Sequence, residues 1–184
     1  MLNAPNGKLP LARREMVLVV PIDGPPVGEV VQLVGDLWSE GVQATLGEAI
    51  ALPTKAYDRS RNQYRAEELL ACVRERDGRR VLGVTARDVY AEGLDFVFGL
   101  SDSPGLAAVI SFFRIRLRVD EATFRARALK EAIHRLGHTF GLGHCGNRRC
   151  VMSAAMLPED IDRKSNRLCD ICLLRASLRG RPPG

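Results

Sequence analysis

The three histidines of this 184-residue chain all lie within eleven residues of one another. His134 and His138 are four residues apart, so on a helix both imidazoles leave the same face and can reach one metal ion. Gly141 and Gly143 follow, and glycine can adopt the positive φ that ends a helix and turns His144 back toward that ion. Three imidazoles with an open fourth position are the ligand set of a catalytic zinc ion. The spacing therefore predicts a three-histidine metal site.

Four of the five cysteines follow the histidines directly. They form a C-x4-C pair and a C-x2-C pair: Cys145, Cys150, Cys169 and Cys172. An even set of cysteines could form disulfides, but we expect no secretory signal in this chain, and the paired spacing favours metal ligation. Four thiolates close a tetrahedral structural zinc site. Cys72 stands apart in a helix-like segment, where we expect a small buried hydrophobic residue.

The first two histidines lie in the strongest helix signal of the chain, residues 121–141. Asp120 is a good N-cap, and Glu121 suits the positive end of the helix dipole. Apolar residues recur at helical spacing along it: Phe124, Ala128, Leu129, Ala132, Ile133 and Leu136. A helix over this range would present His134 and His138 together.

Upstream of this helix, strand-like and helix-like segments alternate, which is typical of an α/β architecture. The predicted strands are 16–22, 42–52, 80–85, 96–100 and 107–117, and the predicted helices are 28–40 and 62–76. The apolar run at 16–22 ends in a turn and is far shorter than the roughly 20 residues that span a bilayer. We therefore expect a cytoplasmic protein without a membrane span.

The composition is that of a globular chain, with 46% hydrophobic and 27% charged residues. The net charge is +5, and only four of the 27 cationic residues are lysines. Aromatic residues make up 5% of the chain and do not alternate with the basic ones, so little supports stacking on bases. The arginines therefore indicate a solvated surface, and nucleic-acid binding is not expected.

Residues 134–145 resemble the archaemetzincins, a family of the metzincin clan of zinc peptidases. The clan pattern is H-E-x-x-H-x-x-G-x-x-H followed by a Met-turn. The likeness continues through Cys150-Val151-Met152 and Cys169-Asp170-Ile171-Cys172, and upstream segments join it: 83–85, 88–90 and 96–99. It extends over about residues 80 to 175.

The resemblance implies a mixed, mostly parallel sheet packed against helices, as in zincins, with an active-site helix and Met152 in a Met-turn below the site. It implies one zinc on the three histidines and a second on the four cysteines. We expect a single domain over 1–184. Its predicted parts are a sheet and helices (1–120), the active-site helix and third histidine (121–144), the four-cysteine segment (145–178) and a basic tail (179–184).

The chain departs from the peptidase pattern at its second position, where Arg135 replaces the general-base glutamate. A guanidinium stays protonated and accepts no hydrogen bond, so it cannot take a proton from water. Glu131, one turn earlier, is the nearest substitute candidate. An i,i+4 ion pair with Arg135 is the simpler role for Glu131, and we favour it.

Two functions follow from these features. The first is a zinc metallopeptidase that cleaves peptide bonds, weakly if at all, with a substitute base. The second is a catalytically silent zinc protein whose cleft binds peptides or small anions, with Arg135 as the anion-binding group. A zinc-ribbon nucleic-acid binder would use the cysteines and the tail, but it leaves the three histidines unexplained.

Overall fold

The structure is a computed structural model that describes residues 7–9, 15–74 and 79–179. Its strands are β1 (Val17–Ile22), β2 (Ala44–Leu46), β3 (Tyr57–Asp58), β4 (Gln63–Arg65), β5 (Arg80–Thr85), β6 (Val89–Tyr90), β7 (Gly99–Ser101) and β8 (Ala107–Ser111). Its α-helices are α1 (Val27–Ser39), α2 (Ala66–Arg74), α3 (Phe112–Ile115), α4 (Glu121–Thr139), α5 (Pro158–Arg163) and α6 (Asp170–Arg179).

The main sheet has five strands in the order β2-β1-β5-β8-β7. The first four strands are parallel, and β7 runs antiparallel to β8 at one edge. A second, three-stranded sheet has the order β3-β4-β6. The expected mixed, mostly parallel sheet packed against helices is confirmed.

Strand β1 shows why this sheet is sandwiched between helices. All six of its residues are buried, and alternate side chains join different clusters. Val17 and Val19 pack with residues of α1 and α4, whereas Leu18 and Val20 pack with residues of α2. A parallel strand covered on both faces needs a continuous apolar run, which the sequence supplies.

Helix α4 lies against the main sheet and carries the first two histidines. The side chain of Asp120 accepts a hydrogen bond from the Thr123 N–H at 2.8 Å, so the predicted N-cap is confirmed. This bond also lowers the pKa of Asp120. The buried face of α4 includes Phe124, whose ring meets Phe112 edge to face at 5.0 Å.

Two predicted strands are shorter than expected. The segment 42–52 lies at the sheet edge and pairs with β1 only over Ala44–Leu46. It leaves the ladder after Gly47 and returns for one further bridge between Ile50 and Ile22. The segment 107–117 is a strand only to Ser111. The Ser111 side chain accepts a hydrogen bond from the Phe113 N–H and starts helix α3, so the apolar run continues through a change of structure.

The other predicted element boundaries differ from the observed ones by smaller amounts, except near residue 62. The predicted helix 62–76 begins with strand β4, which pairs with β3 and β6, and the helix itself spans Ala66–Arg74. Residues 75–76 lie outside the described residues. The predicted strand 96–100 is displaced to Gly99–Ser101. The predicted tail begins at the last residue of α6, and 180–184 also lie outside the described residues.

Within the described part of the chain, no helix is long and apolar enough to cross a lipid bilayer. Helix α4 has the length, with 19 residues, but it carries charged side chains throughout, among them Arg125, Arg127, Lys130 and Glu131.

We expect Phe124→Ala to lower the free energy of unfolding by about 3–5 kcal/mol, because it leaves a cavity between α4 and Phe112. Urea denaturation followed by circular dichroism measures the change. Leu178, which is 70% exposed on α6, provides the control. Leu178→Ala should change stability by about 0.5 kcal/mol or less. Equal effects of the two substitutions would contradict this assignment of the core.

Candidate metal centre

His134 and His138 face one another from consecutive turns of α4. Their Nε2 atoms lie 3.1 Å apart. His134 is 2% exposed, and His138 is half-buried. The helix repeat thus brings the two rings together as the sequence spacing predicts.

Backbone carbonyls fix the orientation of both rings. His134 Nδ1 donates a hydrogen bond to the Val151 carbonyl at 2.8 Å, and His138 Nδ1 donates one to the Leu142 carbonyl at 2.7 Å. A carbonyl only accepts, so the ring proton must lie on Nδ1, and Nε2 carries a lone pair. Two lone pairs 3.1 Å apart repel each other unless a cation lies between them. Tetrahedral zinc would separate two such nitrogens by about 3.4 Å, so this arrangement fits zinc.

His144 completes the group. Gly141 adopts a φ of 77° immediately after α4, as the sequence predicts, whereas Gly143 does not need a positive φ. The ring of His144 lies 5.4 Å from that of His134 and 5.0 Å from that of His138, centroid to centroid. The candidate ligand nitrogens all lie within 4.8 Å of one another. His144 is exposed, so this group opens to solvent on one side.

The surroundings of the three imidazoles favour their neutral form. Desolvation lowers the pKa of His134, His138 and, although its ring is partly open to solvent, His144, and the Arg135 cation acts in the same direction. The pKa of His138 falls to about 4. Neutral imidazole is the form that binds metal, so the chemistry of the group fits a zinc ion near pH 7.

The four cysteines of the second cluster also converge, with their sulfurs within 4.8 Å of one another. Cys145 Sγ and Cys169 Sγ are 3.7 Å apart, close to the value of about 3.8 Å expected for two thiolates on tetrahedral zinc. The N–H groups of Asn147 and Cys169 donate to cysteine sulfurs. The structure forms no disulfide among these four cysteines, and their converging sulfurs fit the predicted metal site.

One short segment, Cys150–Met152, touches both groups. Cys150 belongs to the cysteine cluster, and the Val151 carbonyl orients His134. Met152 is fully buried, and its carbonyl accepts a hydrogen bond from the Cys145 N–H at 2.9 Å. The Met152 side chain packs against Gly137 of α4, where a Cβ would overlap Sδ. Met152 therefore lies against the active-site helix, as the Met-turn resemblance implies.

The predicted ion pair between Glu131 and Arg135 is present, with Oε2 and Nη2 3.5 Å apart. A third charge, which the sequence analysis did not find, joins it. Lys164 is fully buried and donates a hydrogen bond to Glu131 Oε1 at 2.8 Å. Lys164 lies 33 residues from Glu131 among other charged residues, and no local pattern marks it.

The likeness to known proteins extends over most of the chain. The sequence profile of Peptidase family M54 matches residues 41–177. An archaemetzincin of Methanopyrus kandleri is 44% identical over 154 residues, which cover 78% of this chain and 87% of that protein. The chain belongs to the archaemetzincin family of zinc metallopeptidases.

Solved archaemetzincins have the same fold. The crystal structure of the Methanopyrus kandleri protein aligns with a TM-score of 0.82 at 37% identity, covering 93% of this chain and 98% of that one. The Archaeoglobus fulgidus archaemetzincin, solved as a complex with malonate, aligns with a TM-score of 0.76 at 31% identity, covering 87% and 99%. The three-histidine and four-cysteine groups of this chain fit two zinc sites.

The exposure of the two groups predicts how they release metal. A chelator should remove the metal of the histidine group first, because His144 is exposed, with little change in circular dichroism. The cysteine metal should leave later and with loss of structure, because Cys150 and Cys172 are buried and the cluster holds residues 145–172 together. His138→Ala and Cys172→Ala, each analysed for zinc content, assign the two steps. Loss of all zinc in a single unfolding step would contradict this order.

Gly137→Ala should destabilise the protein, although alanine is the better helix former by about 1 kcal/mol. The added Cβ would displace Met152 and, with it, the Val151 carbonyl that orients His134, so zinc content should fall as well. The matched control is Gly35→Ala in α1, where a Cβ meets nothing within 4 Å and stability should rise by about 0.5–1 kcal/mol. Thermal melts with metal analysis measure both variants, and equal stabilisation by both would show that Met152 does not need this glycine.

Proposed function

We propose that the three histidines and the four cysteines each hold one zinc ion. The histidine group has an open side toward solvent, where a ligand can approach. Its members are His134, His138 and His144. Cys145, Cys150, Cys169 and Cys172 form a closed set, which suits a structural ion. Zinc bound by the histidines would lower the pKa of a bound water toward about 7 and polarise a bound carbonyl.

The charge of Arg135 determines which ligands the open side of the histidine group favours. Its guanidinium lies close enough to the three histidines to lower the pKa of each, after the larger effect of burial. The side chain retains 16% exposure. A fixed cation beside a zinc ion favours anionic ligands over neutral ones, and arginine binds carboxylates well.

Glu131 is poorly placed to replace the missing base. Its side chain is 1% exposed, so a substrate cannot reach it. Oε1 accepts a hydrogen bond from Lys164, and Oε2 faces Arg135. Both carboxylate oxygens of Glu131 therefore face cations, and neither is open to a ligand.

The function that these contacts support best is the binding of carboxylate-bearing ligands, including peptides, with hydrolysis weak or absent. The single observation that carries it is the cation of Arg135 at the general-base position beside the three histidines. The related Archaeoglobus fulgidus protein was solved with malonate, a dicarboxylate, which supports carboxylates as the ligand class.

Peptide hydrolysis is the second candidate, because the chain belongs to a peptidase family and its histidines fit a zinc ion. General acid–base help contributes roughly 10²- to 10⁴-fold to such reactions, and Arg135 cannot supply it. Hydrolysis by this chain would then depend on another base, for which Glu131 is the nearest candidate.

Substitutions of Arg135 test the proposal. Arg135→Gln should weaken malonate binding to the zinc-loaded protein by about 10- to 100-fold, since a charged hydrogen-bonding partner is lost. Arg135→Glu should also lose malonate binding, but it should raise peptide hydrolysis by about 10²- to 10⁴-fold by restoring a proton acceptor. Isothermal titration calorimetry and a fluorogenic peptide assay measure the two effects.

Arg135→Gln is also the control for hydrolysis, because it removes the charge without adding a base. Glu131→Gln tests the second candidate. Efficient cleavage by the unmodified protein that Glu131→Gln abolishes, with zinc retained, would make Glu131 the base and reject the proposed function. Malonate binding that is unaffected by Arg135→Gln would reject it as well.

A further inference from the structure

Lys164 is a charged side chain without any exposure to solvent. It follows α5 and enters the space between α4 and the Met-turn. Its ammonium donates to Glu131 Oε1 at 2.8 Å and to the Ser153 carbonyl at 3.2 Å. Burying a charge is costly unless it is paired, so this lysine and Glu131 depend on each other.

The contact with Lys164 changes how Glu131 meets Arg135. Glu131 and Arg135 are four residues apart on one helix, where a carboxylate and a guanidinium can form a hydrogen-bonded pair. In the structure their closest atoms are 3.5 Å apart, and Glu131 Oε2 has no hydrogen-bond partner. Arg135 Nε is likewise buried without a partner. Glu131 thus gives its short hydrogen bond to Lys164 and only a loose contact to Arg135.

The charges of this cluster do not cancel. Two cations, Lys164 and Arg135, share one carboxylate, which leaves one positive charge in surplus. Lys164 has no exposed surface and is hydrogen-bonded, whereas Arg135 retains 16% exposure. The surplus charge is therefore available to a ligand only through Arg135.

We infer that Lys164 is a positioning residue that keeps Arg135 free to bind the carboxylate of a ligand. By holding Glu131 Oε1, it keeps the i,i+4 carboxylate at 3.5 Å from Arg135 and so weakens the pair that would compete with a ligand. This inference rests on the proposed function, because it concerns the ligand of the same site. It assigns selectivity for carboxylates to three residues, Lys164, Glu131 and Arg135, instead of to Arg135 alone.

Malonate affinity of the zinc-loaded protein, measured by calorimetry, tests the inference. Lys164→Met removes the charge and keeps the length of the side chain. Glu131 can then pair fully with Arg135, and malonate binding should weaken by about tenfold or more. In the double variant Glu131→Gln/Lys164→Met, Arg135 has no competing carboxylate. Its malonate affinity should return to within about threefold of the unmodified protein.

A purely structural role of Lys164, as a link between α4 and the Met-turn, predicts a different result. Both variants lack that link, so both would then lose malonate binding, and the inference would be overturned. Unchanged affinity in Lys164→Met would overturn it too. If Arg135→Gln weakens binding in the same experiments while Lys164→Met does not, the proposed function stands and only the role of Lys164 fails. If malonate does not bind the unmodified protein, both fail.

Arg127→Met is the matched control for loss of a buried cation from this region. Arg127 is 4% exposed on α4, one turn before Glu131, and it pairs with Asp162 at 2.6 Å. This variant should lose stability but keep malonate affinity within about threefold. A tenfold loss in Arg127→Met would mean that any buried cation has the same effect, which overturns the specific role of Lys164.

If Lys164→Met does not fold, a crystal structure of the unmodified, zinc-loaded protein with malonate gives the answer. The inference requires a malonate carboxylate within about 3.2 Å of a guanidinium nitrogen of Arg135 while the hydrogen bond between Lys164 and Glu131 is kept. A structure in which Glu131 forms a hydrogen-bonded pair with Arg135, and malonate contacts other groups, would overturn it.

Discussion

The hydrogen bond from His134 Nδ1 to the Val151 carbonyl is the contact on which the site depends. It fixes the ring proton on Nδ1 and directs Nε2 toward His138. The carbonyl belongs to a segment that also supplies Cys150 to the cysteine cluster and Met152 to the packing below α4. His144 and Cys145 are adjacent and join the two groups a second time. Displacement of this segment would therefore disturb both groups together.

Two buried charged side chains, Lys164 and Glu131, lie beside the same segment. Lys164 bonds to the Ser153 carbonyl, directly after Met152, and to Glu131 on α4. The pair thus links the turn to the helix, and Glu131 is also the i,i+4 partner of Arg135. In a peptidase of this clan the position of Arg135 holds a proton acceptor. Here the same position holds Arg135, and the proposed binding of anions rests on that permanent cation.

Much of the fold was predictable, because it depends on local patterns. The apolar run of β1, the N-cap Asp120 and the helical spacing along α4 each identify their element directly. The predicted elements were wrong where an apolar run can form either a strand or a helix. Residues 107–117 contain both β8 and α3, and the change occurs at Ser111, whose side chain caps the helix. Strand β2 pairs with β1 over only three residues at the edge of the sheet, and its interruption before the Ile50 bridge was not predicted.

The sequence alone predicted the two candidate ligand sets and an arginine at the general-base position of the family pattern. Histidines four residues apart share a helix face, paired cysteines at fixed spacing favour a metal, and arginine cannot accept a proton; each of these follows from a few neighbouring residues. Only the tertiary structure placed Lys164 against Glu131 and the Val151 carbonyl against His134. Lys164 and Glu131 are 33 positions apart in the sequence, and Val151 and His134 are 17 positions apart. A carbonyl is present in every residue, and a lysine among charged neighbours looks like a surface residue, so no local pattern distinguishes either before the chain has folded.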